Sequence, residues 1–441
     1  MRQERRDTLT GNTWSSLGCQ SGRRPAVKYA STGSPSTRIL SRRSSFGGDD
    51  LKQPGAIVLG GNFIGLGVVR SLGRHEIPVW VYDTGPCIAK FSRYTKRFVL
   101  SNQDKCDLLL EEGRRHNLNG WVVFPVNDAD VEMLSANHES LSSMYHVTTP
   151  PLEITKFALD KRLTYRQAER VGVATPWTLV SNAPADQIAK DLPYPVILKP
   201  AINHHFFPQT GLKALPVNTP SELRKAYVRM AKYVPPDEIL IQERIPGGGE
   251  DEYSFGGVFK HGKAHGTLVA CRRRQYPVEF GIGSFVETVD QPAVDAGGRT
   301  FLESIGFDGM AEIDFKFDRR DGRYKILDVN ARPWGWHALG RAAGVDFSYL
   351  LWQQKTGGEV PLVRTRNRAT WIRELNDFLA IAKSAHPAEE IQRLLKATLG
   401  GHFTGATFAI FDPVPFLAEL SFRASQGFSL LKKAKGFLAD S

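Results

Sequence analysis

Between Ala311 and Pro333 the chain reads AEIDFKFDRRDGRYKILDVNARP, which puts acids where a strand pair should bury apolar groups. Ala311, Ile313, Phe315 and Phe317 alternate with Glu312, Asp314 and Lys316, the period-two pattern of a half-buried strand. Arg319–Gly322, RRDG, contains the Asp-Gly pair of a hairpin turn. In the return strand Leu327 and Val329 alternate with Asp328 and Asn330. Asp328 and Asn330 therefore share a face, and the return pairing sets them beside Asp314. Two carboxylates and an amide oxygen, with Arg332 just beyond, suit a hard cation that holds phosphate oxygens. A hairpin whose polar face simply meets water has the same pattern, because antiparallel sheets often wet one face.

The rest of the chain bounds the choice. Its 441 residues suggest two or three domains, and 41% hydrophobic with 23% charged residues is ordinary for a soluble globular protein. No apolar run approaches the roughly 18–20 residues needed to span a bilayer. Cys19, Cys87, Cys106 and Cys271 lie far apart with no Cys-x-x-Cys, which argues against a disulfide framework and against a structural zinc site. A reducing cytoplasm is the simplest compartment. The net charge of +11 sits mainly at the ends: residues 1–50 hold nine Lys/Arg against four Asp/Glu, and residues 361–441 hold eleven against seven. The body, 51–360, is left with +2, which argues against nucleic-acid binding, since a domain that binds nucleic acid should carry a basic face of its own.

Residues 1–50, rich in Ser, Arg, Gly and Thr, read as a disordered basic segment; an organelle transit peptide and a start called too early both account for it. From Gly55 short apolar strands alternate with helical patterns: Ala56–Leu59, Pro78–Tyr82, Phe98–Leu100, Trp121–Phe124 and Tyr145–Thr148, with helices near Lys105–His116 and Ala129–His138. This predicts an α/β domain over 51–150 with an open parallel sheet. A second part over 151–358 opens with a helix at Glu153–Val171 and continues through strands and hairpins. A helical extension covers 359–441, with patterns at Ala369–Lys383, Ala388–Leu399 and Pro415–Phe437.

Gly60–Gly67 after a strand, with Asp83 ending the next, offers a dinucleotide site, and so an oxidoreductase. Arg70 stands where the third glycine of that motif belongs. A glycine-rich turn of any open α/β sheet reads the same way.

Further features fit a nucleotide. Lys161 follows Asp160, and Lys199 ends the strand Val196–Lys199; each is a compact charge for phosphate, or a solvated surface lysine. The polar stretch Ala201–Gly211 reads as a flexible loop, with Lys213 after it. His204 and His205 in that loop could touch substrate or be a solvated pair. Gln242, Glu243 and Ile245 run into a glycine-rich bend where a planar base could lie against the backbone, with Glu250 placed for ribose hydroxyls. Arg272–Arg274 is too short and isolated for a nucleic-acid patch but makes an anion clamp.

In this order, Asp160-Lys161, Lys199-Pro200, Gln242-Glu243-Arg244-Ile245, Glu252, Arg272–Gln275, Asp314 and Asp328-Val329-Asn330-Ala331-Arg332-Pro333 resemble the ATP-grasp superfamily. More narrowly they resemble its predicted carboxylate–amine ligase group. VLGGNFIGLGVVRSLGRHEIPVWVYD, Ser92–Arg97 and Asn330–Gly335 are similar to that group, and the resemblance covers about residues 55–355. It implies an open parallel-sheet first domain, then a two-lobed ATP-grasp domain of α+β type. It implies that Lys161 and Lys199 bind ATP phosphates, that Gln242, Glu243 and Ile245 form the adenine hinge and that Glu250 faces the ribose. Asp314, Asp328 and Asn330 would hold one or two magnesium ions, or manganese in their place. Arg332, Arg272 and Arg274 would steady the transferring phosphate. Asp314 and Asp328 stand where many members have glutamate, and Glu312 is an added outer acid. The implied reaction joins a small carboxylate to an amine through an acyl-phosphate. A non-catalytic nucleotide-binding protein fits the same residues. Ser421–Phe437 mixes Phe and Leu with lysines and could rest on an anionic membrane, though such a helix more often packs on its own protein.

Overall fold

The computed structural model describes residues 38–41, 53–180, 185–277, 281–358, 360, 362–363, 365 and 368–426. The first domain is an open sheet of β1 (Arg38–Ser41), β2 (Ala56–Leu59), β3 (Val79–Asp83), β4 (Thr95–Leu100), β5 (Val122–Pro125) and β6 (His146–Val147), in the order β1-β4-β3-β2-β5-β6. β2 to β6 run parallel and β1 is antiparallel on the edge. Alternate residues of β2 enter different cores, Ala56 and Val58 on one face and Ile57 and Leu59 on the other. A parallel sheet covered on both faces needs such continuous apolar strands. β1 lies inside the segment that the sequence reads as disordered, and it pairs with the otherwise open edge of β4.

The second part has two lobes. A small antiparallel sheet, β7 (Thr178–Val180), β8 (Val196–Pro200), β9 (Leu215–Val217) and β10 (Ile239–Glu243), runs in the order β7-β10-β8-β9. Val196, Leu198, Ile239 and Ile241 fill its own core with Phe206, Leu223 and Met230. Lys199, next to Leu198, therefore points off the other face, together with Leu240 opposite it. The large sheet holds β11 (Glu252–Lys260), β12 (Lys263–Tyr276), β13 (Ile282–Thr288), β14 (Gly309–Asp318), β15 (Arg323–Asn330), β16 (Thr370–Ile372) and β17 (Phe403–Gly405), in the order β15-β14-β11-β12-β13-β16-β17. His261 and Gly262 turn β11 into β12 with φ of 49° and 77°, the left-handed pair of a tight hairpin.

Three sequence expectations change. Glu153–Val171 is two helices, Leu152–Leu159 and Lys161–Arg170. Asp160 breaks them, with extended backbone, and caps the second through the Arg162 N–H. Ala201–Gly211 is not a loop: Asn203–Thr210 is a helix closed by Gly211 at φ 70°. The C-terminal extension is not purely helical, since β16 and β17 complete the large sheet. Helices Glu374–Ala382, Pro387–Leu399 and Val414–Gln426 are present, and the Ser421–Phe437 stretch passes outside the described residues after position 426. No helix among the described residues is long and apolar enough to cross a membrane.

The extension is bound to the first domain by a buried charge. Arg70, on the helix Phe63–Arg74, donates through Nε to Asp412 Oδ2 at 2.9 Å and through Nη2 to the carbonyls of Thr407 and Asp412. Asp412 also accepts from Ser92 Oγ and the Arg93 N–H. Asp412→Ala should leave Arg70 buried without its counter-charge and cost about 3–5 kcal/mol. Urea unfolding measures this; a change below about 1 kcal/mol would disprove the tie.

Candidate functional site

The site lies on one face of three adjacent strands. β14 and β15 pair so that Asp314 faces Asp328 and Glu312 faces Asn330. β11 sets Glu252, Ser254 and Gly256 opposite Lys316, Asp314 and Glu312. Tyr253 faces Cys271 on β12, so the next residue, Arg272, returns to the acidic face. Ser254 Oγ donates to Asp314 Oδ1 at 2.7 Å. Arg272 bonds Asp314 and lies 3.4 Å from Glu252 and 3.9 Å from Glu312.

A bulge aims the backbone as well. Asp314 pairs with Asp328 but Phe315 pairs with Ile326, so Leu327 is the extra residue. Its carbonyl accepts from Tyr165 Oη at 2.8 Å and from Lys199 Nζ at 3.4 Å. Lys199 Nζ also donates to Tyr165 Oη at 2.5 Å. Burial, then the neighbouring Lys161, push the Lys199 ammonium down to about 7, against the pull of Asp328.

Lys161, first residue of its helix, reaches Asp328 Oδ1 at 2.8 Å. Arg332 donates to Asp128 Oδ1 at 2.7 Å and to Asn330 Oδ1 at 3.0 Å, and Asn330 Nδ2 donates to Glu312 at 3.1 Å. Burial, followed by the Asp314 charge, raises the Glu312 carboxyl to about 8. Lys213 is open to solvent by surface area, yet it faces Arg272, Asp314, Asp328 and Arg332. Enclosure in the cleft, then Arg272, lower its pKa. No hydrogen bond or ion pair engages Lys213 among the described residues.

Seven of the sequence-predicted residues thus meet: Lys161, Lys199, Asp314, Asp328, Asn330, Arg332 and Arg272. Gln242 and Glu243 end β10, and Ile245 follows two residues later. Gln242 is buried and donates to Thr178 Oγ1 at 2.7 Å, while Ile245 is buried without a polar side chain. The Glu243 carboxylate is taken by the Trp177 N–H, Lys325 and Arg320, which tie β10 to the turn end of the β14–β15 hairpin. Any contact of Glu243 with a base is therefore through its backbone.

Two residues stand elsewhere. Arg274 is a correction: irregularities between Arg272 and Arg274, and between Arg274 and Gln275, break the alternation of β12. The guanidinium turns to the opposite face, donates to both oxygens of Asp377, bonds Glu390 and stacks 4.2 Å over Phe285. It anchors the extension. Glu250 stands apart from the acidic face: it is exposed and lies 3.4 Å from Arg393 of the Pro387–Leu399 helix. Glu252 occupies the cleft instead, between Arg272 and Lys316. Asp128 was missed in sequence; its signal was the acid-rich helix start just past a parallel strand's carboxyl end.

The oxyanion-type donors of the Gly60–Gly67 turn are already used. Asp83 Oδ2 accepts from the Gly61 N–H at 2.7 Å, and Asn62 Oδ1 accepts from the N–H groups of Ile64 and Gly65. The groups that the dinucleotide reading would assign to ribose and pyrophosphate are engaged with one another within the turn.

No family model matches the chain. It is 23% identical to the D-aspartate ligase of Enterococcus faecium over 48% of this chain and 53% of that protein. It is 25% identical to the vancomycin/teicoplanin A-type resistance protein VanA of Enterococcus faecium, over 59% of this chain and 79% of that one. The chain thus spans about half the length of the D-aspartate ligase it matches. Among solved structures, the ADP complex of N5-carboxyaminoimidazole ribonucleotide synthetase superposes with a TM-score of 0.59 at 13% identity, covering 78% of this chain and 86% of that one.

Two expectations follow from the geometry. Arg274→Ala should cost about 3–5 kcal/mol in urea unfolding, because Asp377 is left buried and unpaired, while polyphosphate affinity at pH 7 stays unchanged; a lost affinity with intact stability would return Arg274 to the site. A polyphosphate favours charged Lys199, whose free pKa is about 7. Binding above that pH takes up a proton, so affinity should fall with rising pH, by up to about tenfold per unit. Calorimetry from pH 6.5 to 9 measures the slope, and Lys199→Arg should flatten it.

Proposed function

The chain has the ATP-grasp fold, and on that premise we propose that it is an ATP-dependent ligase that joins a small carboxylate to an amine. One observation carries the reading. Asp314 and Asp328 face each other in register, and Lys161, Lys199, Arg272 and Arg332 converge on them from four separate segments.

Taken alone, such a cluster is expensive to bury, and its pairing is near balance: each acid named has a cation against it. A triphosphate offers those cations new partners. Lys161 and Lys199 then hold phosphate oxygens as point charges, and Arg272 and Arg332 span the transferring group. Asp314, Asp328 and Asn330 are hard oxygen donors that fit magnesium, and the facing positions of Asp314 and Asp328 suit a shared ion. Bound there, magnesium would neutralise phosphate charge.

The chain's residues account for the rest. A carboxylate and a triphosphate repel each other, and the four cations offset that repulsion and fix the approach. The carboxylate oxygen attacks the γ-phosphorus, the bond to ADP breaks, and an acyl-phosphate forms. The amine then displaces phosphate and loses a proton as the amide forms. An amine does not displace a free carboxylate oxygen at neutral pH; phosphorylation supplies the leaving group. The cleft between Asp128 of the first domain and the hairpin is where the carboxylate and amine would meet.

Amino acids and small carboxylates should be screened in pairs for ADP and phosphate release, which also separates a ligase from a non-catalytic nucleotide binder. Lys199→Ala and Asp328→Ala should each lower turnover at least about 100-fold; full turnover in both would end the proposal. Glu252→Gln should weaken nucleotide binding by about 1 kcal/mol or more, measured by ADP calorimetry, and Glu250→Gln should leave it unchanged. The reverse result would restore Glu250 as the ribose contact.

A further inference from the structure

Among the described residues, one cluster of metal-type donors lies outside the phosphate cleft residues. Glu132, His204 and His205 each offer a donor atom within 4.8 Å of the other two, and all three are half-buried. They come from two parts of the chain. Glu132 is on the helix Asp128–Ala136 of the first domain, and the histidines begin the Asn203–Thr210 helix that follows β8 of the small lobe. His204 Nε2 lies 2.9 Å from Glu132 Oε2, and the two imidazole rings stand 4.9 Å apart and steeply tilted.

A second observation points to a ligand. His205 Nδ1 lies 2.9 Å from Glu238 Oε2. A carboxylate on one ring nitrogen fixes the tautomer and leaves the other nitrogen as a lone-pair donor, which is how metal-binding histidines are commonly held. Two imidazoles and one carboxylate then make three protein ligands, with water for the remaining place. Zinc takes such a set at about 2.0–2.2 Å. Ligands at that distance in a tetrahedron sit about 3.3–3.6 Å apart, so Glu132 and His204 need open only slightly. Glu132 has room, its side chain being 45% exposed.

We propose that Glu132, His204 and His205 bind a divalent ion of the zinc class, which bridges the first domain to the small lobe. The donor set separates this ion from magnesium, which prefers oxygen ligands and leaves imidazole alone. The bridge has a mechanical reach. Asp128, one helical turn before Glu132, holds Arg332, and the histidine helix follows directly on the strand that carries Lys199. An ion at this position ties the arginine's support to the lysine's lobe. The proposal does not rest on the ligase reading.

The test uses untagged, chelator-treated protein titrated with zinc chloride against a chromophoric chelator, with millimolar magnesium present throughout. One ion per chain is expected, and cobalt(II) in its place should give the visible absorption of a tetrahedral nitrogen–oxygen site. Glu132→Gln, His204→Ala and His205→Ala should each weaken zinc at least about tenfold, and Glu238→Gln about tenfold. His402→Ala, remote from the cluster, should change nothing. Melting curves in the absence of metal verify that each variant is folded. Wild-type protein that cannot compete with the chelator, or folded variants that hold zinc as tightly as wild type, would overturn the site.

Discussion

Asp314 opposite Asp328 is the pairing on which the cleft depends. A slip of one residue between β14 and β15 would turn one strand's acids toward the apolar side and destroy the shared face. Burial fixes the register: Ile313, Phe315, Ile326 and Val329 all enter one core, so any slip would expose them. The bulge at Leu327 is the exception that the register admits. It frees a carbonyl from the ladder and hands it to Tyr165 and Lys199. The same hairpin thus presents side chains to one set of partners and backbone to another.

Around that pairing the cleft stores opposite charges at close range. Lys161 rests on Asp328, Arg272 on Asp314 and Arg332 on Asp128. Each contact is an interaction that an anionic ligand has to replace, so binding there is an exchange of partners. Burial makes the exchange sensitive to protonation. Glu312 is held toward its neutral form and Lys199 toward its free amine, both because the enclosed cleft disfavours charge. Perturbed groups gathered in one cleft are a common mark of a working site.

Much of this was legible in the sequence where the period of the pattern was simple. The alternation of Ile313, Phe315 and Val329 with acids gave the hairpin and its polar face, although Leu327 is the bulged residue and Ile326 takes the core place, and the apolar runs gave the parallel first sheet. The misses have physical causes. Arg274 was misplaced because a bulge is invisible to a period-two reading: the ladder slips at Arg274 and returns to register at Gln275, so that one side chain leaves the expected face. Glu250 falls in a three-residue 3₁₀ turn, Gly249–Asp251, that precedes β11 and leaves Glu252 as the first acid on the cleft side. β16 and β17 are three residues each and owe their existence to distant partners, β13 and one another. Such short strands carry no local signal. Asp160 broke an expected single helix because its side chain caps better than it propagates.

The tie between Arg70 and Asp412 has a consequence for how the chain comes to be made. Arg70 leaves the ribosome early, and its counter-charge is translated more than three hundred residues later. Until then the first domain holds an arginine in an environment built to be closed, and the large sheet ends at β13 with an open edge. The cation therefore stays uncompensated over the whole stretch between Arg70 and Asp412, and the sheet border stays unfinished from β13 until β16 emerges. Only when the stretch through Asp412 has emerged are both made good, so the first domain reaches its final state among the last.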